Sequence, residues 1–179
     1  VSDLRTVKTN TEIEQLQESF RRTDLALSAV REYIYTTDNI SEYDIEQKLK
    51  EKFKNQGAKG LSFKPIIAKD KNSALAHYSK SSKEEILTDG SLVLIDCGAY
   101  FDGGLATDIT RVFVKGTPSK RQKYIYTMVL KAFLNAFNFY KKGITGFEID
   151  ASVRNFFGSM NCEGFIFNHG LGHGIGINV

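Results

Sequence analysis

Disulfide staples are missing from this chain. Its two cysteines, Cys97 and Cys162, lie far apart in 179 residues and make no disulfide framework. They point instead to a reducing compartment. Long apolar runs are missing too, since nothing approaches the ~18 residues of a membrane span. The opening VSDLRTVKTNTEIEQ is polar and has none of the apolar centre of a signal peptide. The expectation is a soluble, cytoplasmic protein with no membrane partner. A strong charge of one sign is also absent. The formal balance is +3, and Lys and Arg are interleaved with acids, which argues against a nucleic-acid partner. The basic run SKRQK at 119–123 reads as a solvated helix start. The first residue is not Met, so a processed piece is expected.

What is present suits a globular protein. Hydrophobic residues make up 41% and charged residues 25%, both ordinary values. The length fits one domain with a sizeable core, so neither metal nor disulfide is needed simply to fold. Thr11 and Glu14 form a T-x-x-E capping box, followed by Ile13, Leu16, Phe20, Leu27, Val30 and Ile34 at helical spacing. A second helix starts at Ser41, carries Ile45, Leu49 and Phe53, and ends at Gly57 and Gly60. LSFKPIIA at 61–68 is a strand interrupted by Pro65 and is placed near an edge. SLVLIDCGAY reads as a buried strand and ATDITRVFVKG as an alternating one, with FDGG as the turn between them. Ser119 and Gln122 cap a helix reaching about Tyr140, with Ile125, Val129, Ala132, Phe133 and Ala136 inward. A shorter helix follows from Phe147. No linker is visible. Helices, then strands, then helices make an α+β chain with a curved, mainly antiparallel sheet.

Three residues stand out chemically. A hairpin turning about Asp102 sets Asp96 directly opposite Asp108, with Cβ atoms roughly 4.5–5.5 Å apart. A turn centred on Gly103 and Gly104 would instead put them on opposite faces unless a bulge intervened. Facing carboxylates repel and lose hydration, so such a pair shares a proton or binds a cation. Taken alone, the plainer alternative weighs more: one Asp in solvent and the other capping a turn. The third residue is His173, an imidazole in the glycine-rich run HGLGHGIGINV, where missing side chains let backbone and substrate approach. His169 or His173 alone is weak evidence. A dinucleotide fingerprint in GLGHGIG would need a following helix and a later acid, and the chain stops first.

Together, LIDCGAYFDGGLATDITRVF and HGLGHGIGINV resemble the M24 metallopeptidases, the pita-bread family of aminopeptidase P, prolidase and methionine aminopeptidase. The resemblance covers essentially the whole chain. FKPIIAKDKNSALAHY is similar to the N-x-x-x-x-H segment of the proline-specific members, and FVKGTPSKRQKYIYTMVLKA to aminopeptidase P. It implies Asp96, Asp108 and His173 as metal ligands. It also implies His77 beside the substrate and the tetrahedral intermediate, and His169 at the substrate pocket. The cofactors implied are two divalent ions, Mn first and Co, Zn or Fe as alternatives. The partner implied is a peptide with proline at the second position, acted on by a homo-oligomer, a dimer.

Two departures accompany the resemblance. Asp96 and Asp108 are one residue further apart than is usual in the family, which implies a longer hairpin tip. The family also carries two glutamate ligands and a further histidine beyond the segment where this chain stops. Residues 1–179 are therefore expected to be a truncated M24 catalytic domain without the N-terminal creatinase-type domain. Such a chain should lack activity and pair its exposed sheet edge with another molecule. Alternatives stay open at this point: prolidase or methionine aminopeptidase, metal-free creatinase chemistry, or a non-catalytic module that binds peptide or protein.

Overall fold

The computed structural model describes residues 5–159, 167 and 169–179, so Cys162 lies outside the described residues. Two helices come first, α1 Asn10–Thr36 and α2 Glu42–Asn55. Five strands follow: β1 Gly60–Leu61, β2 Ile66–Lys69, β3 Leu92–Cys97, β4 Ala99–Tyr100 and β5 Ile109–Val114. A 3-10 helix, Asp70–Ala74, follows β2. Helices α3 Lys120–Phe137 and α4 Gly146–Ser159 come last. The chain divides into two compact units, Val1–Pro118 with Gly174–Val179, and Ser119–His173. Among the described residues no helix is long and apolar enough to cross a membrane.

In the first unit, the capping box of α1 lies two residues before the one expected from the sequence. The box is Thr9 with Glu12, not Thr11 with Glu14. Thr9 has the extended backbone that an N-cap needs, while Thr11 is already helical. Helix α2 is capped by Ser41 and Asp44 as read, and the following Gly57 has φ +81°. Both helices put an apolar stripe inward. Ala26, Val30, Ile34, Ile45 and Leu49 are fully buried, and they join Phe53 and the strand residues Ile67, Val93, Ile95 and Cys97 in one core.

The main sheet has the order β2-β3-β5, and every ladder is antiparallel. Pro65 stands just before the edge strand β2, where a missing N–H costs no ladder bond. Strand β3 is not buried on both faces, as its apolar run suggested. Val93, Ile95 and Cys97 point into the core, and Leu92, Leu94 and Asp96 are half-buried on the other face.

In the second unit, Ser119 and Gln122 cap α3 as expected, and Thr145 with Glu148 caps α4 in the same way. The core is small: Ala132, Ala136, Ile149 and Val153, with Phe156, Phe157 and Leu171 against them. Helix α3 ends at Phe137 rather than near Tyr140. Two expected inward residues are exposed, Val129 at 52% and Phe133 at 56%. Helix α4 covers the narrow alanine stripe of α3, and residues one step round the helix fall outside that contact.

Candidate functional site

The hairpin of β3 and β5 carries both candidate carboxylates. Its register sets Asp96 opposite Thr110 and Cys97 opposite Ile109, so the expected direct pairing of Asp96 with Asp108 does not occur. The turn centres on Gly103 rather than Asp102. Gly103 and Gly104 have φ +97° and +69°, as the FDGG turn chemistry predicts. Past the tip, Tyr100 bridges Ala106 in the same register. The parity of Asp96 and Asp108 is therefore kept, and in an unbroken ladder they would be diagonal neighbours on one face.

The ladder is in fact interrupted at Asp108. The Thr107 N–H donates to the Ala99 carbonyl at 3.0 Å, but the Ala99 N–H donates to the Thr107 hydroxyl at 3.0 Å, not to its carbonyl. That carbonyl accepts instead from the Ser62 hydroxyl at 2.8 Å. It occupies the space in which a Cβ on Gly98 would sit. Buried Thr23 completes the arrangement, its hydroxyl 2.9 Å from that of Thr107. Gly98, Thr107, Thr23 and Ser62 thus fix the backbone from which Asp108 projects. The sequence signal for them was the small residue between two strands, which marks a close backbone approach.

Asp96 and Asp108 are both half-buried. The Thr110 hydroxyl donates to Asp96 Oδ1 at 2.7 Å and orients that carboxylate. Cys97 reports on both acids. Its thiol is pushed up, first by burial and then by the charges of Asp96 and Asp108. It faces the core, on the side of β3 away from Asp96. The two carboxylates form a hard oxygen donor set, which fits a divalent metal ion.

His77, the remaining candidate in this unit, is exposed on the loop that follows the 3-10 helix from Leu75. His169 and His173 belong to the second unit, and both are exposed. His169 Nδ1 lies 2.7 Å from the Gly170 carbonyl. A carbonyl can only accept, so Nδ1 carries the proton and Nε2 is the basic nitrogen. Arg154, which sequence reading missed, holds the start of this glycine-rich segment. Its guanidinium donates to the carbonyls of Phe167 at 2.6 Å and His169 at 3.0 Å, and it is itself paired with Asp150. After His173 the chain enters the first unit. There the Ala106 N–H donates to the Gly176 carbonyl at 2.7 Å, and the Tyr100 hydroxyl to the Ile177 carbonyl at 2.9 Å. Among the described residues no group of three or more His, Cys, Asp or Glu is gathered to hold a metal ion.

The model of metallopeptidase family M24 matches residues 14–179. The Xaa-Pro dipeptidase of Pyrococcus horikoshii is 37% identical over 179 residues, covering 100% of this chain and 49% of that protein. A probable Xaa-Pro aminopeptidase P of Paracoccidioides brasiliensis is 32% identical over 185 residues, covering 98% of this chain and 29% of that one. The crystal structure of X-Pro aminopeptidase from Thermotoga maritima superposes with a TM-score of 0.90 at 32% identity, covering 99% of this chain and 49% of that one. The fold is thus the pita-bread fold, and the chain spans about half the length of the first of these relatives.

Proposed function

The chain belongs to metallopeptidase family M24, and from that premise we propose that it carries one part of the active site of a metal-dependent aminopeptidase. The substrate is a peptide with proline at its second position, and the N-terminal residue is released. The observation that carries this reading is the family match from residue 14 to residue 179, which takes in both carboxylates of the hairpin. The family implies divalent metal cofactors. Asp96 and Asp108 would hold them from the first unit, and His173 would add an imidazole. Support comes from the orientation of Asp96 by Thr110 and from the hydrogen-bonded backbone that precedes Asp108.

A pair of divalent ions, when bound, supplies a hydroxide near neutral pH and polarises the scissile carbonyl; Mn²⁺ suits this donor set. The chain's own residues do the rest. His77 donates toward the carbonyl oxygen as negative charge builds on it. His169, with Nδ1 fixed by Gly170, presents Nε2 to the peptide. Glycines 170, 172 and 174 leave open space where a Cβ would stand, so a peptide backbone can come close. The residues that would complete the ligand set, two glutamates and a further histidine, are proposed to lie on additional polypeptide of the length its relatives have. The 179-residue chain by itself is then inactive. In this reading the working protein is a cytoplasmic dimer.

The second reading is cleavage of Xaa-Pro dipeptides, favoured by the name of the Pyrococcus horikoshii relative. One assay addresses both. An Xaa-Pro-Xaa tripeptide and an Xaa-Pro dipeptide are offered, with Mn²⁺, to the 179-residue chain and to a chain extended to its relatives' length. The expected outcome is tripeptide turnover by the extended chain alone. Turnover of the dipeptide only would replace the first reading by the second. Comparable turnover by both chains would overturn the proposed sharing of the site.

A further inference from the structure

Glu42 is the one fully buried carboxylate among the buried polar side chains of the described residues, and no step above uses it. It occupies the first turn of α2, where the helix dipole favours an anion. Its two oxygens accept four hydrogen bonds, all from the segment that runs from Lys69, the last residue of β2, to Ser82. Oε1 takes the Lys69 N–H at 2.7 Å and the Asn72 side-chain amide at 3.0 Å. Oε2 takes the Tyr78 hydroxyl at 2.6 Å and the Ser82 N–H at 3.0 Å. Tyr78 and Asn72 also touch each other at 3.2 Å. The loop folds back on itself through Leu75 N–H to Asn72 and Tyr78 N–H to Leu75. The two ends of the loop and its middle are therefore tied to one side chain, and the exposed segment Leu75 to His77 arches between the ties. His77 is bonded directly to Tyr78, one residue from the anchor.

We infer that Glu42 is a positioning residue for His77: its buried carboxylate fixes the loop that presents the imidazole. The inference rests on the reading of His77 as a substrate-side residue, but its structural part stands apart from that reading. A carboxylate is the side chain that this hub requires. Four donors need two acceptor oxygens with two lone pairs each. Glutamine offers only one such oxygen. Its NH₂ group must face either the Lys69 or the Ser82 N–H, and neither backbone N–H can turn round to accept.

The test uses the 179-residue chain, with Glu42→Gln and Tyr78→Phe as the loop variants and Val30→Ala as a core control away from the loop. Two signals are read: amide exchange at Lys69 and Ser82 relative to Ile95, and the imidazole NMR resonance of His77 with its relaxation. For Glu42→Gln, exchange at Ser82 or Lys69 should rise about tenfold relative to Ile95, as expected for a buried group left unpaired. The His77 resonance should move to the position and sharpness of a free loop. Tyr78→Phe should move both signals in the same direction by less, and it decides the matter if Glu42→Gln does not fold. Val30→Ala should lower overall stability without moving His77. An unchanged His77 resonance in both loop variants, or an equal change in Val30→Ala, would overturn the inference. Failure of the extended chain to cleave Xaa-Pro peptides would remove the proposed function but leave these signals as expected.

Discussion

Helix α1 sinks Ala26, Leu27, Val30 and Ile34 into a core shared with α2 and three strands, whereas helix α3 buries only Ala132 and Ala136. The difference does not lie in composition, because α3 carries larger apolar side chains than it buries. Val129, Leu130, Phe133, Leu134 and Phe137 are all more than 40% exposed. Phe133 and Phe137 pack edge to face with each other, ring centres 5.0 Å apart, and Phe137 also meets the Tyr140 ring at 5.6 Å. In the first unit the helical stripe meets a sheet whose inward residues alternate to match it. In the second, a single helix can cover only one narrow stripe of another. What a helix buries is thus set by the width of its partner, not by the number of apolar residues it offers.

The sharpest way to break this comparison is to cut one core residue in each unit. Phe53→Ala should cost about 3–5 kcal/mol, because Phe53 is 1% exposed in the core that helices and strands share. Val153→Ala should cost less, about 1–3 kcal/mol, in a core made mostly of small residues. Denaturant titration of each variant measures both, and equal costs would remove the distinction between the units.

Next comes the hairpin backbone that belongs to the well-packed unit. Gly98→Ala forces a methyl group onto the Thr107 carbonyl oxygen and should cost about 1–3 kcal/mol, read from thermal unfolding. A variant as stable as the parent would show that the Thr107 carbonyl can move, and that Asp108 is not rigidly based.

On α3 the expected effect is smaller. Phe133→Ser should change stability by no more than about 0.5 kcal/mol, since the side chain is 56% exposed. It should also reduce any self-association seen by sedimentation. A loss comparable to that of Phe53→Ala would mean that the α3 face is covered after all.

The smallest expected effect is electrostatic. Glu18 on α1 is held down to about 2 by hydrogen bonds from Arg21 and Arg22, against an ordinary 4.5. Its folded value is depressed, so its contribution is present above the ordinary value and is lost as pH falls through about 2. Glu18→Gln should therefore be slightly less stable than the parent at pH 7 and equal to it below pH 2. The exposed position keeps the difference small. A difference that persists at the acid end would assign it to something other than the ion pairs.

Much of the first unit was legible in the sequence because its signals are local and agree. Ser41 with Asp44, Ile45-Leu49-Phe53, Pro65 before an edge strand and the FDGG turn each specify one geometry. The capping box slipped by two residues because Thr9 and Thr11 offer the same pattern, and only the backbone chooses between them. The register of Asp96 was missed for a similar reason. Asp102, Gly103 and Gly104 can all centre a turn, and moving the centre by one residue moves every partner by two. Thr107 and Ser62 were invisible because their bonds cross 45 positions of sequence. Glu42 looked like an ordinary first-turn acid, since its four partners come from a loop far along the chain. Val129 and Phe133 fit the helical period, but the period says nothing about how wide a partner will be.

The central claim is that Asp96 and Asp108 hold metal for a peptidase. Titration of Mn²⁺ into a chain extended to its relatives' length, followed by calorimetry beside Asp96→Asn and Asp108→Asn, tests it most directly. The account predicts that the parent binds two ions. Each variant should keep its fold and lose affinity by at least about a hundredfold, because a carboxylate ligand supplies charge as well as a coordination position. Two ions bound with unchanged affinity by both variants would contradict it.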